Sequence, residues 1–207
     1  MDLKSAALQR RMVRCFSEEA VDPAAIDRIL DLANRAPSAG NTDGRAFLLL
    51  VGREQTQVYW DATTTAEWRA KGRRYRGMAN APIVVVVLAD PSRYTDRYDE
   101  PDKRTSGLGT GAGGEGSWPI PYWYFDAGAA VMAMLLAVTD EGLGACFIGN
   151  FRGEDELLRN CSVVGSWRFV GAVLIGHPEG EDPPSASVLR GRPPLSQVVH
   201  RGRWNIG

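Results

Sequence analysis

Four consecutive valines, Val84 to Val87, sit inside the run "APIVVVVLAD" from Ala81 to Asp90. β-branched residues at successive positions favour extended backbone, and a strand with no polar alternate face must be covered on both sides. This run therefore predicts the middle of a sheet with packing above and below it. Three further strands are predicted by "AFLLLV" at Ala46–Val51, "ACFIG" at Ala145–Gly149 and "RFVGAVLIG" at Arg168–Gly176.

Helical signals alternate with these strands. Lys4–Arg10 reads as a short helix. Asp22 can cap a second, Pro23 suits its first turn, and Ile26, Ile29, Leu30 and Ala33 share one face before Pro37 stops the run. Glu54–Met78 reads as helical with a break at Gly72, and Glu154–Arg159 as a short helix. Tyr122–Glu141 is apolar nearly all round and ends at Gly142, a natural C-cap position, which predicts the central buried helix. Pro91–Pro119 mixes glycine, aspartate, arginine and tyrosine without a period, so residues 91–119 read as an irregular lid. The tail, 183–207, has no clear core pattern. An α+β domain around a mixed sheet, one unit over 1–207, accounts for this order.

Apolar types at 44% and charged types at 24% are ordinary for a folded chain, and the net charge of −1 gives no global field for nucleic acid. The positive charge is uneven, however. Arg10, Arg11 and Arg14 cluster near the start. No acidic residue follows Asp182, while Arg190, Arg192, Arg201 and Arg203 do. Guanidinium forks suit phosphate or carboxylate. Cys15, Cys146 and Cys161 are odd in number and far apart, which suggests neither a disulfide framework nor a zinc motif. The apolar run Ala127–Val138 is too short to cross a bilayer and the first twenty residues lack an apolar signal core. A cytoplasmic protein that engages neither membrane nor nucleic acid is the expectation.

Protein-based chemistry finds little support. His177 and His200 are the two histidines, and no spacing supplies metal partners for either. Cys146 and His177 both border the predicted sheet and could form a nucleophilic pair, although a cysteine in that setting also reads as a small core residue. "GLGTGAGG" at Gly107–Gly114 lacks the preceding strand and the Lys-Ser/Thr ending of a phosphate loop. So few acid–base groups suggest that a cofactor carries the reaction.

"RRMVRCF" at Arg10–Phe16, "APSAGN" at Ala36–Asn41, "GLGACFIGN" at Gly142–Asn150, "IGHP" at Ile175–Pro178 and "GRPPLSQVVH" at Gly191–His200 together resemble the nitroreductase family of FMN-dependent oxidoreductases. The resemblance implies an α+β fold with a mainly antiparallel central sheet and a long dimer-interface helix. It also implies a homodimer whose tail embraces the partner, FMN bound at the subunit interface, and NADPH or NADH as electron donor to an aromatic acceptor such as a nitroaromatic or quinone. A specialised dehydrogenase, dehalogenase or flavin-converting enzyme on the same scaffold is the alternative, as is a non-catalytic flavin- or deazaflavin-binding protein.

By that resemblance Arg10, Arg11 and Arg14 contact the FMN phosphate, ribityl chain or ring edge, though Arg11 also reads as a solvent-facing charge. Met12 stands where the family often has serine, so a thioether packs in place of a hydroxyl contact. Pro37, Ser38 and Asn41 approach the flavin from the neighbouring subunit; by local chemistry the same residues are simply a turn. Leu143 and Gly144 bring backbone near the reactive ring edge, and Arg190 and Arg192 close on the phosphate. Asp43 and Arg45 replace the glutamine and tryptophan common in the family, which points to altered substrate selection. Trp118, Tyr122 and Trp123 stack over a flat substrate or, equally, fill core or interface.

Overall fold

The structure is a computed structural model and describes residues 1–149, 151–183 and 186–204. Asn150, the last residue of the "GLGACFIGN" motif, lies outside the described residues, as do 184–185 and 205–207 of the expected tail.

Four strands form one sheet in the order β1-β2-β4-β3: β1 is Arg45–Val51, β2 Ile83–Ala89, β3 Gly144–Ile148 and β4 Arg168–Gly176. Every residue of β2 is buried. Its side chains alternate between two cores, as a two-residue period requires. Ile83, Val85 and Val87 pack with Ile26, Ile29, Val131 and Met134 on one face; Val84, Val86 and Leu88 pack with Tyr59, Trp60, Met78 and Leu157 on the other. Burying each valine contributes about 1.5–3 kcal/mol, so this one strand anchors both layers.

The α+β class and the flanking helices are as expected, but the sheet is not mixed. Each strand pairing is antiparallel. The Gly52 N–H donates to Pro82 O at 2.8 Å, so the helices between β1 and β2 leave and re-enter at one end of the sheet, which makes the neighbours antiparallel. The parallel contact is a single bridge between Met12 and Ala145.

Three helices, α1 (Leu3–Gln9), α2 (Pro23–Asn34) and α7 (Tyr122–Asp140), pack on one side. α2 is capped by Asp22, whose carboxylate accepts the Ala24 N–H at 3.0 Å, with Pro23 in its first turn. α7 ends at Gly142, whose φ of 74° is left-handed. The aromatic flank Tyr122–Phe125 lengthens this helix beyond the run Ala127–Val138. By length and composition α7 is apolar enough to cross a membrane, yet half of its most apolar window is buried inside the protein.

The other side carries α3 (Gly52–Thr63), α4 (Ala66–Lys71), α5 (Arg73–Ala79) and α8 (Glu154–Asn160). The expected break at Gly72 is present. A second break falls at Thr64–Thr65, where the Thr65 hydroxyl caps α4 by accepting the Trp68 N–H at 3.1 Å.

The segment 91–119 is less irregular than expected. Its first eight residues form α6 (Pro91–Tyr98), because Asp90 accepts the Ser92 N–H at 3.0 Å and Pro91 fits the first turn. Short 3-10 turns follow at Arg104–Ser106, Thr110–Ala112 and Gly114–Ser117. In the tail, α9 (Ala186–Leu189) and α10 (Leu195–Val198) are single turns of helix.

Candidate functional site

The basic segment Arg10–Phe16 is stitched along the edge of β3. Val13 N donates to Ala145 O at 2.8 Å, and the Phe147 N–H points at the Met12 sulfur at 3.4 Å, so Met12 packs by its thioether. Phe16 N donates to Gly77 O at 3.2 Å. A methyl on Gly77 would meet Arg14 O at 2.5 Å, and α5 presses directly on this segment. The arginines are thereby sorted. Arg11 is exposed, Arg14 is half-buried with Nη1 on Met12 O at 3.3 Å, and Arg10 is half-buried with Nη1 enclosed and, among the described residues, without a hydrogen-bond partner. Leaving a buried donor unpaired costs about 1–3 kcal/mol, and more when the group is charged, so Arg10 is poised for an acceptor.

A Cβ at Gly144 would lie 2.9 Å from Pro178 and 3.0 Å from Val13, so its small size admits the basic segment. Leu143 turns inward, its N–H on Val138 O at 3.0 Å. The backbone that opens to a cavity belongs to the other end of the same strand.

That cavity, of about 460 Å³, is lined by Ile148 at the end of β3, by Gly149, Phe151 and Arg152 after it, by Tyr59, Trp60 and Thr63–Thr65 of and after α3, and by Trp68 and Met78. Its volume and apolar walls suit a ring-sized ligand. Trp60 Nε1 is a second enclosed donor with no partner among the described residues. Met78 follows Gly77, and Ile148 follows Phe147, so cavity and basic segment share one wall. Sequence reading missed these aromatic residues, although Trp60, Trp68 and Tyr75 recur among polar residues in one stretch; the rings meet edge to face at 5.3 Å and 5.5 Å.

The turn at Pro37–Asn41 is held from beneath. Ala39 N donates to Asp126 Oδ2 at 2.8 Å and Asn41 N to Ser38 O at 3.0 Å, while the Asn41 side chain is exposed. Arg45 is not directed to a substrate. Its Nη2 donates to Asn34 O and Ala36 O, each at 2.6 Å, closing the C-terminal end of α2. Asp43 is exposed on a polar groove shared with Asp90, Arg93, Asp96 and Glu100.

Trp118 and Trp123, 7% and 4% exposed, are core rings in this chain and not pocket walls. They meet Tyr94 edge to face at 5.9 Å and 6.0 Å, and Trp118 Nε1 donates to Leu108 O at 2.8 Å. Tyr122 is half-buried at the margin of this cluster.

The chain leading to the tail passes the basic segment. Glu179 N donates to Cys15 O at 3.0 Å, and Asp182 Oδ2 accepts the Arg14 N–H at 2.7 Å. Arg190 and Arg192 lie further along, exposed. The structure therefore brings Arg10, Met12 and Arg14 to β3. Within one chain, Pro37–Asn41 belongs to the α6–α7 side of the molecule. Cys146 is fully buried and burial pushes its thiol pKa up, which argues against a nucleophile. No group of His, Cys, Asp and Glu suited to a metal occurs among the described residues.

Comparison with known proteins gives a consistent result. A model described as "Nitroreductase family" matches residues 7–118 and 119–177. A curated relative from Archaeoglobus fulgidus, provisionally named an NADH dehydrogenase/NAD(P)H nitroreductase, is 24% identical over 198 residues, covering 94% of both proteins. Among solved structures, the fold is similar to a nitroreductase-like protein of Desulfovibrio desulfuricans in complex with FMN, at 22% identity, 99% coverage of both chains and a TM-score of 0.68. It is also similar to a BluB-like flavoprotein from Clostridium difficile 630, at 16% identity, 98% coverage of this chain, 100% of that one and a TM-score of 0.69.

Proposed function

The chain belongs to the nitroreductase family, and from that premise we propose that it is an FMN-dependent oxidoreductase acting on an aromatic acceptor such as a nitroaromatic or quinone. The observation that carries this reading is the basic segment adjoining an aromatic-walled cavity of about 460 Å³, with one enclosed donor in each, Arg10 Nη1 and Trp60 Nε1, that lacks a hydrogen-bond partner among the described residues. These donors fit the group: a phosphate and ring carbonyls are acceptors, and a guanidinium answers a dianion with charge-assisted bonds.

FMN, when bound, would supply two-electron chemistry between NADPH or NADH and the acceptor. The chain's residues bind and orient it. Arg10 and Arg14, joined by Arg190 and Arg192 of the tail, neutralise the phosphate. The cavity between α3, α5 and the end of β3 receives the ring, excludes water and offers the Ile148–Gly149 backbone. Preorganised donors in such a place favour negative charge on the ring system without a side-chain acid. Pro37, Ser38 and Asn41 act on the flavin of a second copy. Leu8, Phe125, Met132 and Trp204 are large apolar side chains exposed in the single chain, as a homodimer interface would require.

One observation favours a specialised reaction on the same scaffold. Trp118 and Trp123 are sealed in the core, and the groove beside Asn41 is lined by charges of both signs, Asp43, Asp90, Asp96 and Glu100 with Arg93 and Arg97, so the acceptor selected there is more polar than a plain nitroarene.

The test is anaerobic addition of NADPH and of NADH to the flavin-loaded protein. Bleaching of the flavin absorbance by either nicotinamide, with colour restored by nitroaromatics or quinones, supports the proposal. A coloured protein that neither nicotinamide reduces is a flavin carrier and not this enzyme.

A further inference from the structure

A buried carboxylate lies beneath the turn proposed to reach the flavin. Asp126, in the first half of α7, is 4% exposed. Removing a carboxylate from water is costly unless hydrogen bonds replace the lost solvation. Its Oδ2 accepts two of them, from Ala39 N–H at 2.8 Å and from the Tyr94 hydroxyl at 2.9 Å. Tyr94 is itself fully buried. An apolar residue on α7 would avoid the desolvation, so this carboxylate serves geometry more than bulk stability.

The geometry in question is unusual. Gly40 and Asn41 have φ of 66° and 54°, both left-handed, a conformation uncommon for a residue other than glycine. Further contacts hold the same backbone. Arg97 Nε donates to Gly40 O at 2.9 Å, while its Nη1 and Nη2 grip Asp102 at 2.7 Å and 2.8 Å. The Tyr98 ring covers Gly40 so closely that a Cβ there would fall 2.7 Å from it. Helices α6 and α7 thus fix the turn's main chain and leave the Asn41 side chain exposed.

We infer that Asp126 is a positioning residue for flavin binding: through the Ala39 N–H, and through Tyr94 to α6, it holds the Ser38–Asn41 turn in the conformation that presents Asn41. This inference rests on the flavin reading above. The carboxylate touches neither ring nor phosphate and acts through the turn alone.

The experiment is a double-mutant cycle on the full chain, comparing the wild type with Asp126→Asn, Asn41→Ala and the double variant. The readouts are the FMN dissociation constant and the hydrogen exchange of the Ala39 amide in flavin-free protein. Each single variant is expected to weaken FMN about ten-fold and the double variant little further, because both changes remove the same contact. Asp126→Asn is also expected to speed Ala39 exchange about ten-fold while leaving the interior of α7 protected. Independent, roughly hundred-fold losses in the double variant, or unchanged Ala39 exchange, overturn the inference. Should Asp126→Asn fail to fold, Tyr94→Phe, which removes one of the two hydrogen bonds, takes its place in the same cycle and is judged by the same two outcomes. A wild type that does not bind FMN overturns the flavin reading and this inference with it. A wild type that binds FMN as tightly as Asp126→Asn overturns the inference alone.

Discussion

Replacing Arg45 by alanine is expected to cost stability rather than redirect substrate choice. Its Nη2 bonds Asn34 O and Ala36 O at 2.6 Å each, and Nη1 reaches Pro37 O at 3.5 Å. The last carbonyls of a helix lack intrahelical donors and carry the negative end of its dipole, so a cation there meets both needs. A hydrogen bond to a charged group contributes about 1.5–3 kcal/mol. Two short bonds at a half-buried site, less the cost of Arg45 Nε being buried without a partner, amount to about 3 kcal/mol. In a chain of this size that lowers Tm by roughly 6–12 °C. Melts should use flavin-free protein at one fixed concentration, because ligand and self-association both shift Tm. Arg45→Lys, which lacks the planar fork, should fall between. A Tm within about 2 °C of wild type, together with a changed order of acceptors, would refute the capping role and return Arg45 to the substrate site.

Other outcomes follow from the same geometry. Arg10→Ala should weaken FMN about ten-fold while leaving riboflavin affinity nearly unchanged, and Arg11→Ala, at an exposed side chain, should change neither; parallel titrations with the two flavins separate these cases. Gly44→Ala places a methyl inside the buried Tyr94 ring, and overpacking of that kind should cost about 3 kcal/mol in urea unfolding. Bonding to the Arg97 guanidinium holds the Asp102 carboxyl at about 2, below its ordinary 3.8. Because the folded value is the lower one, the pair's contribution is present above about 4 and is lost as pH falls through 2. Arg97→Ala should move the Asp102 titration, followed by carboxyl NMR, back towards 3.8.

The core was legible because its signals are strong and local. Val84–Val87 required cover on both faces and received it from two helical layers. Tyr122–Glu141 declared itself by continuous apolarity, and Gly142 by the left-handed turn it supplies. α6 was missed because its exposed face is polar and its buried residues, Pro91, Tyr94 and Thr95, make no aliphatic stripe, although Asp90 followed by Pro91 is a helix-start signal. Arg45 was misread for a different reason: the carbonyls it caps come from a separate element, so their partnership is visible only once α2 and β1 are packed.

The candidate site divides in the same way. Arg10, Met12 and Arg14 could be read as a cluster because they fall within five successive positions. The cavity could not, since Trp60, Trp68, Met78 and Ile148 come from four segments that folding alone brings together. The reason for a glycine at position 144 could not be read either, because Val13 and Pro178, which press on it, come from distant segments. Asp126 carried a visible signal, an acid inside an apolar helix, whose meaning required the turn it holds.

Titration of flavin-free protein with FMN, followed by absorbance and flavin fluorescence, is the most direct measurement. Saturable binding tighter than about 1 μM, at one flavin per chain, is the result that clustered arginines and an adjoining ring-sized cavity require. A folded protein whose signals do not change on adding FMN would contradict it.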